Sequence, residues 1–216
     1  MNFFNERKKI TQEYKALGFN NTKVISAINS IYRENFVIDK YKDFSYIDIE
    51  LPILNKQKML SPLIELRLLT ESIKKSNNKV LLIGTGSGFF TALFSNIYKF
   101  AITVENNIEI FKFAQQNLKN NNIKNVSIFN GDGLNVDKRW CEKKYDLIII
   151  TFPILFLPKY YESLINFNGR IIAMKRNDRM MVLKKFEFTK HNNQLLEKNI
   201  FEVGLNNTDH EPFFTF

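Results

Sequence analysis

The sequence predicts an α/β fold, a doubly wound and mostly parallel sheet, and three observations carry that expectation. Apolar runs of strand length alternate with amphipathic segments of helical period from about residue 80 onward. One of those runs, Leu147-Ile148-Ile149-Ile150, is apolar without alternation, as a parallel strand covered on both faces must be. Finally, Gly84-Thr85-Gly86-Ser87-Gly88 stands where a strand gives way to a helix.

Two helices precede this pattern. Ile10, Tyr14 and Leu17 fall at i, i+4 and i+7, with Gly18 as C-cap, and a second helix from about Thr22 gathers Val24, Ala27, Ile28 and Ile31 on one face. With no strand to alternate with, they are expected to form a lid or flank. Residues 41–60 read as irregular around Pro52. Ser61-Pro62 then opens a helix, Ser as N-cap and Pro at N1, with Ile64, Leu68 and Ile73 on its buried side.

The alternation follows. Val80 to Ile83 reads as a strand, Phe89 to Tyr98 as a helix, and Ala101 to Val104 as a second strand. Ile108, Phe111, Ala114 and Leu118 form the stripe of the next helix, ended by the Asn120–Asn122 run, and Val126 to Phe129 supplies a third strand. Tyr145 to Thr151 is a fourth, followed by a helix at about 159–165, a strand from Gly169 to Met174, and two strand-like stretches at about 180–189 and 195–203. No repeat or Pro/Gly/Ser linker interrupts residues 1–216, which are read as one domain, with 1–60 as N-terminal helices and loop and 61–216 as the α/β core.

Composition narrows the function classes. In 216 residues, 44% apolar and 14% aromatic side chains suffice for an ordinary core, and 25% charged residues place the chain among globular proteins. The net charge of +9 would attract polyanions, but the lysines are scattered instead of forming a basic stripe, so nucleic acid is the less favoured partner. Cys141 is the one cysteine, which fits a reducing compartment, and no Cys/His cluster has metal-ligand spacing, so no metal is expected. The N-terminus lacks an apolar signal core and no apolar run approaches ~18 residues, so the expectation is a cytoplasmic protein without a membrane span.

The chemistry-bearing cluster is the glycine loop. Glycines at a strand-to-helix turn admit positive φ and let a ligand approach the backbone, while free helix N–H groups face it. A dinucleotide fingerprint would read G-x-G-x-x-G, whereas Gly84, Gly86 and Gly88 give G-x-G-x-G, the spacing usual in S-adenosylmethionine enzymes. A bare tight turn is the competing reading. Glu105 weakens that alternative: it closes the next strand about twenty residues on, where a carboxylate accepts hydrogen bonds from both ribose hydroxyls. Gly131-Asp132-Gly133 after the third strand reads equally well as a turn or as an acceptor for an adenine amino group.

Four blocks in order, Arg33-Glu34-Asn35-Phe36-Val37, Tyr46 to Ile53 (YIDIELPI), Val80 to Phe89 (VLLIGTGSGF) and Asn125 to Gly133 (NVSIFNGDG), resemble those of the protein-L-isoaspartate O-methyltransferase family, over about residues 10–175. The resemblance implies a seven-strand, Rossmann-like methyltransferase sheet and S-adenosylmethionine bound by Gly84, Thr85, Gly86, Ser87, Gly88, Glu105, Asp132 and Gly133, with Asp132 on the adenine side. It also implies methyl transfer to a carboxyl group of an isoaspartyl residue in a protein or peptide, for repair.

The chain departs from the family's pattern at three places. Leu82 stands where the family carries an acidic residue. Where the family has Thr-Ile-Ser before a Pro, this chain has Lys58-Met59-Leu60-Ser61-Pro62; Ser61 is the candidate for contact with substrate, and it is also a sufficient N-cap for its helix. The closing strand near Glu202 to Asn207 matches faintly. These substitutions predict weak or absent turnover on a kept fold and cofactor pocket. Lys56 and Lys58 are either solvated or attract an acidic group, and His191 and His210 read as surface residues. Besides an isoaspartate-type enzyme, a methyltransferase for another substrate such as RNA and a non-catalytic binding protein remain open. Thr151-Phe152-Pro153 lacks the Asn-Pro-Pro-aromatic motif of base amino-methylating enzymes, which lowers the RNA branch.

Overall fold

The computed structural model describes residues 2–73, 78–176, 180–189 and 194–204. It begins with α1 (Phe3–Ala16), whose first turn is capped by the Asn2 side chain. Gly18 follows in the left-handed region at φ +91°, as the sequence predicts. Ile10 and Tyr14 are buried, but Leu17 is 63% exposed, because it is the helix C-cap and has left the helical phase. The polar Arg7 and Thr11 complete the buried face instead. In α2 (Thr22–Ser30), Asn21 caps the N–H groups of Lys23 and Val24, and Val24, Ala27 and Ile28 are buried. Two 3-10 segments, Arg33–Phe36 and Asp39–Phe44, carry the chain to the sheet side.

The stretch read as irregular holds a small antiparallel hairpin, β1 (Leu51–Pro52) and β2 (Lys58–Met59). Its tip turns at Asn55 and Lys56, both at positive φ (53° and 59°), and is closed by the Ile53 N–H on the Gln57 carbonyl. This is the hand of turn that matches strand twist, built here without glycine. Next comes α3 (Pro62–Ser72), which buries Glu65, Leu66, Leu68 and Leu69, while Ile64 and Ile73 are only half-buried. Ser61 occupies the N-cap position as expected, yet its side chain forms no capping bond. Asp48, fifteen residues earlier, accepts the Leu63 N–H at 2.8 Å in its place.

The alternating core runs β3 (Lys79–Ile83), α4 (Phe89–Ile97), β4 (Phe100–Glu105), α5 (Ile108–Asn120), β5 (Val126–Asn130), α6 (Lys138–Cys141), β6 (Tyr145–Ile154), α7 (Tyr160–Leu164), β7 (Ile165–Arg176), β8 (Met180–Thr189) and β9 (Gln194–Gly204). The strands lie in the order β5-β4-β3-β6-β7-β8-β9. The first five are parallel, and β8 and β9 continue as an antiparallel meander, so the sheet is mostly parallel as predicted. In α5 the buried stripe is Ile110, Ala114, Asn117 and Leu118, and Ile108 is 48% exposed: at 100° per residue it lies roughly opposite Ile110.

Successive residues of β3 face opposite ways. Val80 and Leu82 join the cluster built with α1 to α5, and Leu81 and Ile83 join the one containing Trp140, Tyr161 and Leu164, so helices cover both faces. The chain winds outward from β3 to β5, then crosses back to β6 on the other side of β3. That reversal opens a crevice beyond the carboxyl ends of β3, β4 and β6.

Candidate functional site

The glycine loop leaves β3 into this crevice, with φ of +91° at Gly84, +55° at Gly86 and +86° at Gly88. Its glycines have different reasons. A Cβ at Gly84 would stand 2.3 Å from Thr151 Oγ1 on β6, and one at Gly88 would press on Ala114 and Leu118 of α5 at 3.3 Å, so both serve close packing. At Gly86 the nearest atom is Ile53 Cδ1, at 4.0 Å. The space over Gly86 is therefore open, between the loop and the β1–β2 hairpin.

The side chains of Thr85 and Ser87 turn away from that space. Thr85 Oγ1 bonds Thr103 Oγ1 at 2.7 Å, and Ser87 Oγ accepts the Phe89 N–H at the start of α4. Glu105 is 3% exposed at the end of β4, with no salt-bridge partner among the described residues. Its Oε2 accepts the Gly86 N–H and its Oε1 the Asn107 N–H, each at 3.1 Å. Burial pushes its carboxyl above the ordinary range, and the backbone N–H groups of Asn107 and Gly86 hold the rise back. A buried acceptor with two oxygens, fixed by the loop it faces, is suited to paired hydroxyls.

Ile83, Gly84, Val104, Glu105, Asn106, Asp132, Gly133 and Phe152 line a cleft that opens to solvent. The sequence-predicted Gly84, Glu105, Asp132 and Gly133 thus meet on one wall. Asp132 is both a turn residue and a cleft residue: Oδ1 accepts the Leu134 N–H at 2.9 Å and Oδ2 the Asn135 side-chain N–H at 2.7 Å. The Gly133 carbonyl accepts the hydroxyls of Tyr160 and Tyr161, which tie the loop to the start of α7.

Several site residues escaped sequence reasoning. Asn107 caps α5 through Glu109 and Ile110, donates its N–H to Glu105, and accepts the Asn55 side-chain N–H at 3.0 Å, fastening the hairpin tip beside Glu105. An Asn two residues after Glu105 and just before an apolar period was its available signal. Phe152 and Ile53 had none. Ser61 is 8% exposed and, with Asp48 supplying the cap, its hydroxyl has no partner among the described residues. Lys58 lies 3.7 Å from Glu50, and Lys56 is exposed at the hairpin tip. Leu82 is fully buried among core residues and does not line the cleft. His191 and His210 lie outside the described residues.

The family profile described as Protein-L-isoaspartate(D-aspartate) O-methyltransferase (PCMT) matches residues 5–205. The chain belongs to this family. The match runs past the residue-175 limit of the sequence-level resemblance and takes in β8 and β9. Curated PCMT relatives include the protein-L-isoaspartate O-methyltransferases of Photobacterium profundum, 30% identical over 94% of this chain and 95% of its own, and of Thermosipho melanesiensis, 30% identical over 83% and 90%. A Plasmodium falciparum chain assigned as a PCMT, solved in complex with S-adenosyl-L-homocysteine, superposes with a TM-score of 0.77 at 20% identity, covering 91% of this chain and 95% of its own. A second protein-L-isoaspartate O-methyltransferase structure gives 0.78 at 23% identity, over 91% of this chain and 64% of its own. At these identities the structures show the shared fold. Among the described residues no helix is long and apolar enough to cross a membrane.

Proposed function

We propose that this protein transfers the methyl group of S-adenosylmethionine to a carboxylate of an isoaspartyl residue in a protein or peptide. The observation that carries the reading is Glu105, a buried carboxylate bonded to the Gly86 N–H at the edge of the cleft, in a chain of the PCMT family. The cleft fits that cofactor: Gly86 opens the loop, Glu105 offers two acceptors, and Asp132 stands on the same wall.

In this reading the backbone of Gly84–Gly88, Thr85 and Ser87 included, lies against the ligand, Glu105 takes the ribose hydroxyls, and Asp132 accepts from the adenine amino group beside Gly133. When bound, S-adenosylmethionine supplies an electrophilic sulfonium methyl. Transfer would form a C–O bond from the substrate carboxylate as the S–C bond breaks, with the sulfur keeping that bond's electron pair as a neutral thioether. Opposite charges are neutralised, so no base is needed, and what the chain must supply is alignment. Ser61 is assigned to the substrate carboxylate, because its hydroxyl is free to donate once Asp48 has taken over the cap. The lone, half-buried Cys141 suits a reducing, cytoplasmic setting.

The test is transfer of label from S-adenosylmethionine to an isoaspartyl peptide, with mild alkali applied to the product. A carboxyl methyl ester releases its label as methanol; an N-methylated base in an RNA control does not. Alkali-labile label on the peptide is the expected result, and alkali-stable label on RNA alone would overturn the reading.

A further inference from the structure

Outside the cofactor cleft, the most unusual chemistry sits under the N-terminal helices. Arg33 is 2% exposed, in the 3-10 segment Arg33–Phe36. One guanidinium nitrogen pairs with Glu65 in the first turns of α3, and another donates to the Leu60 carbonyl at 2.8 Å, directly before Ser61. Its carbon lies 4.9 Å from the ring centroid of Phe89, the first residue of α4 after the glycine loop. Phe36 meets the same ring edge-on at 5.6 Å. The Arg33 Nε is buried with no hydrogen-bond partner among the described residues, and a small pocket walled by Ile10, Tyr14, Ile28, Leu66 and Leu93 adjoins the group.

This is a poor way to gain stability. A buried ion pair roughly cancels its own desolvation, an orphaned N–H adds to the cost, and apolar residues of similar volume commonly do as well or better. What apolar side chains cannot do is grip a carbonyl while resting on an aromatic face. The guanidinium does both, because its donors are held in a rigid planar fork. Its anchor points are Leu60, directly after the β1–β2 hairpin, and Phe89, the first residue beyond the glycine loop.

From this geometry we infer that Arg33 is a positioning residue: it fixes the Leu60-Ser61 backbone relative to the glycine loop, and so sets the line between methyl donor and acceptor carboxylate. The inference rests on the methyltransferase reading for its catalytic consequence. Its structural content, a hairpin end held by Arg33, stands apart from that reading. Misplacement by about 1 Å costs on the order of 10²-fold in an alignment-limited reaction.

The test is the paired variant Arg33→Met with Glu65→Leu, which removes both charges together and leaves none orphaned. Three measurements are made: amide hydrogen exchange over residues 57–61 in the ligand-free protein, the dissociation constant of S-adenosylhomocysteine by calorimetry, and kcat and KM with an isoaspartyl peptide. We expect exchange over 57–61 to quicken about tenfold, cofactor affinity to stay within about threefold, and kcat to fall on the order of 10²-fold with KM little changed. A merely structural role would move melting and affinity without this split. A folded variant with unaltered exchange over 57–61, or with kcat within about threefold of wild type, overturns the inference. Should the pair fail to fold, Arg33→Lys keeps the charge opposite Glu65 but cannot reach both partners. An intermediate loss of kcat supports the inference, and wild-type kcat overturns it. If the wild-type protein itself fails to methylate the peptide, the functional reading falls, and the exchange measurement alone decides the role of Arg33.

Discussion

Replacing Glu105 tests both its place in the fold and its place in the ligand site. Each carboxylate oxygen takes one backbone N–H, from Gly86 and Asn107, and keeps lone-pair capacity for a ribose hydroxyl. Glu105→Ala would remove the two charge-assisted bonds proposed to the ribose and is expected to weaken S-adenosylhomocysteine binding by about 1.5–3 kcal/mol, tenfold or more. Glu105→Gln is nearly isosteric but still costly. Its NH₂ must face either the Gly86 or the Asn107 N–H, so one buried donor loses its acceptor, at about 1–3 kcal/mol, before any ligand is present. The glutamine variant should therefore melt lower than wild type without ligand and also bind more weakly. The assay is calorimetric titration with S-adenosylhomocysteine beside thermal denaturation of the ligand-free proteins. An unchanged dissociation constant in both variants would refute the placement of the ribose on Glu105.

Gly86→Ala should fold, at a cost of about 1–2 kcal/mol for its positive φ, and lose cofactor affinity, whereas Gly84→Ala meets Thr151 Oγ1 at 2.3 Å and should be the more destabilised in denaturant titration; the reverse order would contradict the packing described. Lys56→Gly relieves a non-glycine residue at φ 59° on the hairpin tip and should raise stability by about 0.5–1 kcal/mol, read from denaturant midpoints. Burial pushes the Glu65 carboxyl from 4.5 up to about 7, with Arg33 opposing the rise and Asp48 adding to it. A raised folded-state value means the stability Glu65 contributes is full below about pH 4.5 and is lost as pH climbs through about 7. The stability of wild type relative to Glu65→Gln should accordingly fall across that window and level off above it; a difference that rises with pH would contradict the burial of this carboxyl.

The sheet was readable because parallel strands buried on both faces need unbroken apolar runs, and Val80 to Ile83 and Leu147 to Ile150 supply them. The glycine loop and Glu105 were readable because their spacing is set by one β-α-β unit. What escaped depends on distance along the chain or on polar burial. Asp48 caps α3 from fifteen residues away, so Ser61 looked like its own cap. The Asn55-Lys56 turn lacks the glycine that marks such a hairpin in sequence. A reading that counts apolar residues at helical period passes over Arg7, Arg33, Glu34 and Glu65, which are buried because they pair with one another. The same counting placed Leu17 and Ile108 inside, although one caps its helix and the other lies off the buried face.

The central claim is selective carboxyl methylation at the cleft lined by Gly84 and Glu105. Its most direct test presents an isoaspartyl peptide and its aspartyl counterpart together, at equal concentration, with labelled S-adenosylmethionine, and follows alkali-labile label on each. Labelling of the isoaspartyl peptide alone, at whatever rate the Lys58-Met59-Leu60 loop permits, is the predicted result. Equal labelling of both peptides would contradict it, and no label on either while the protein binds S-adenosylhomocysteine would overturn it in favour of the non-catalytic reading that Leu82 and the Lys58-Met59-Leu60 loop first raised.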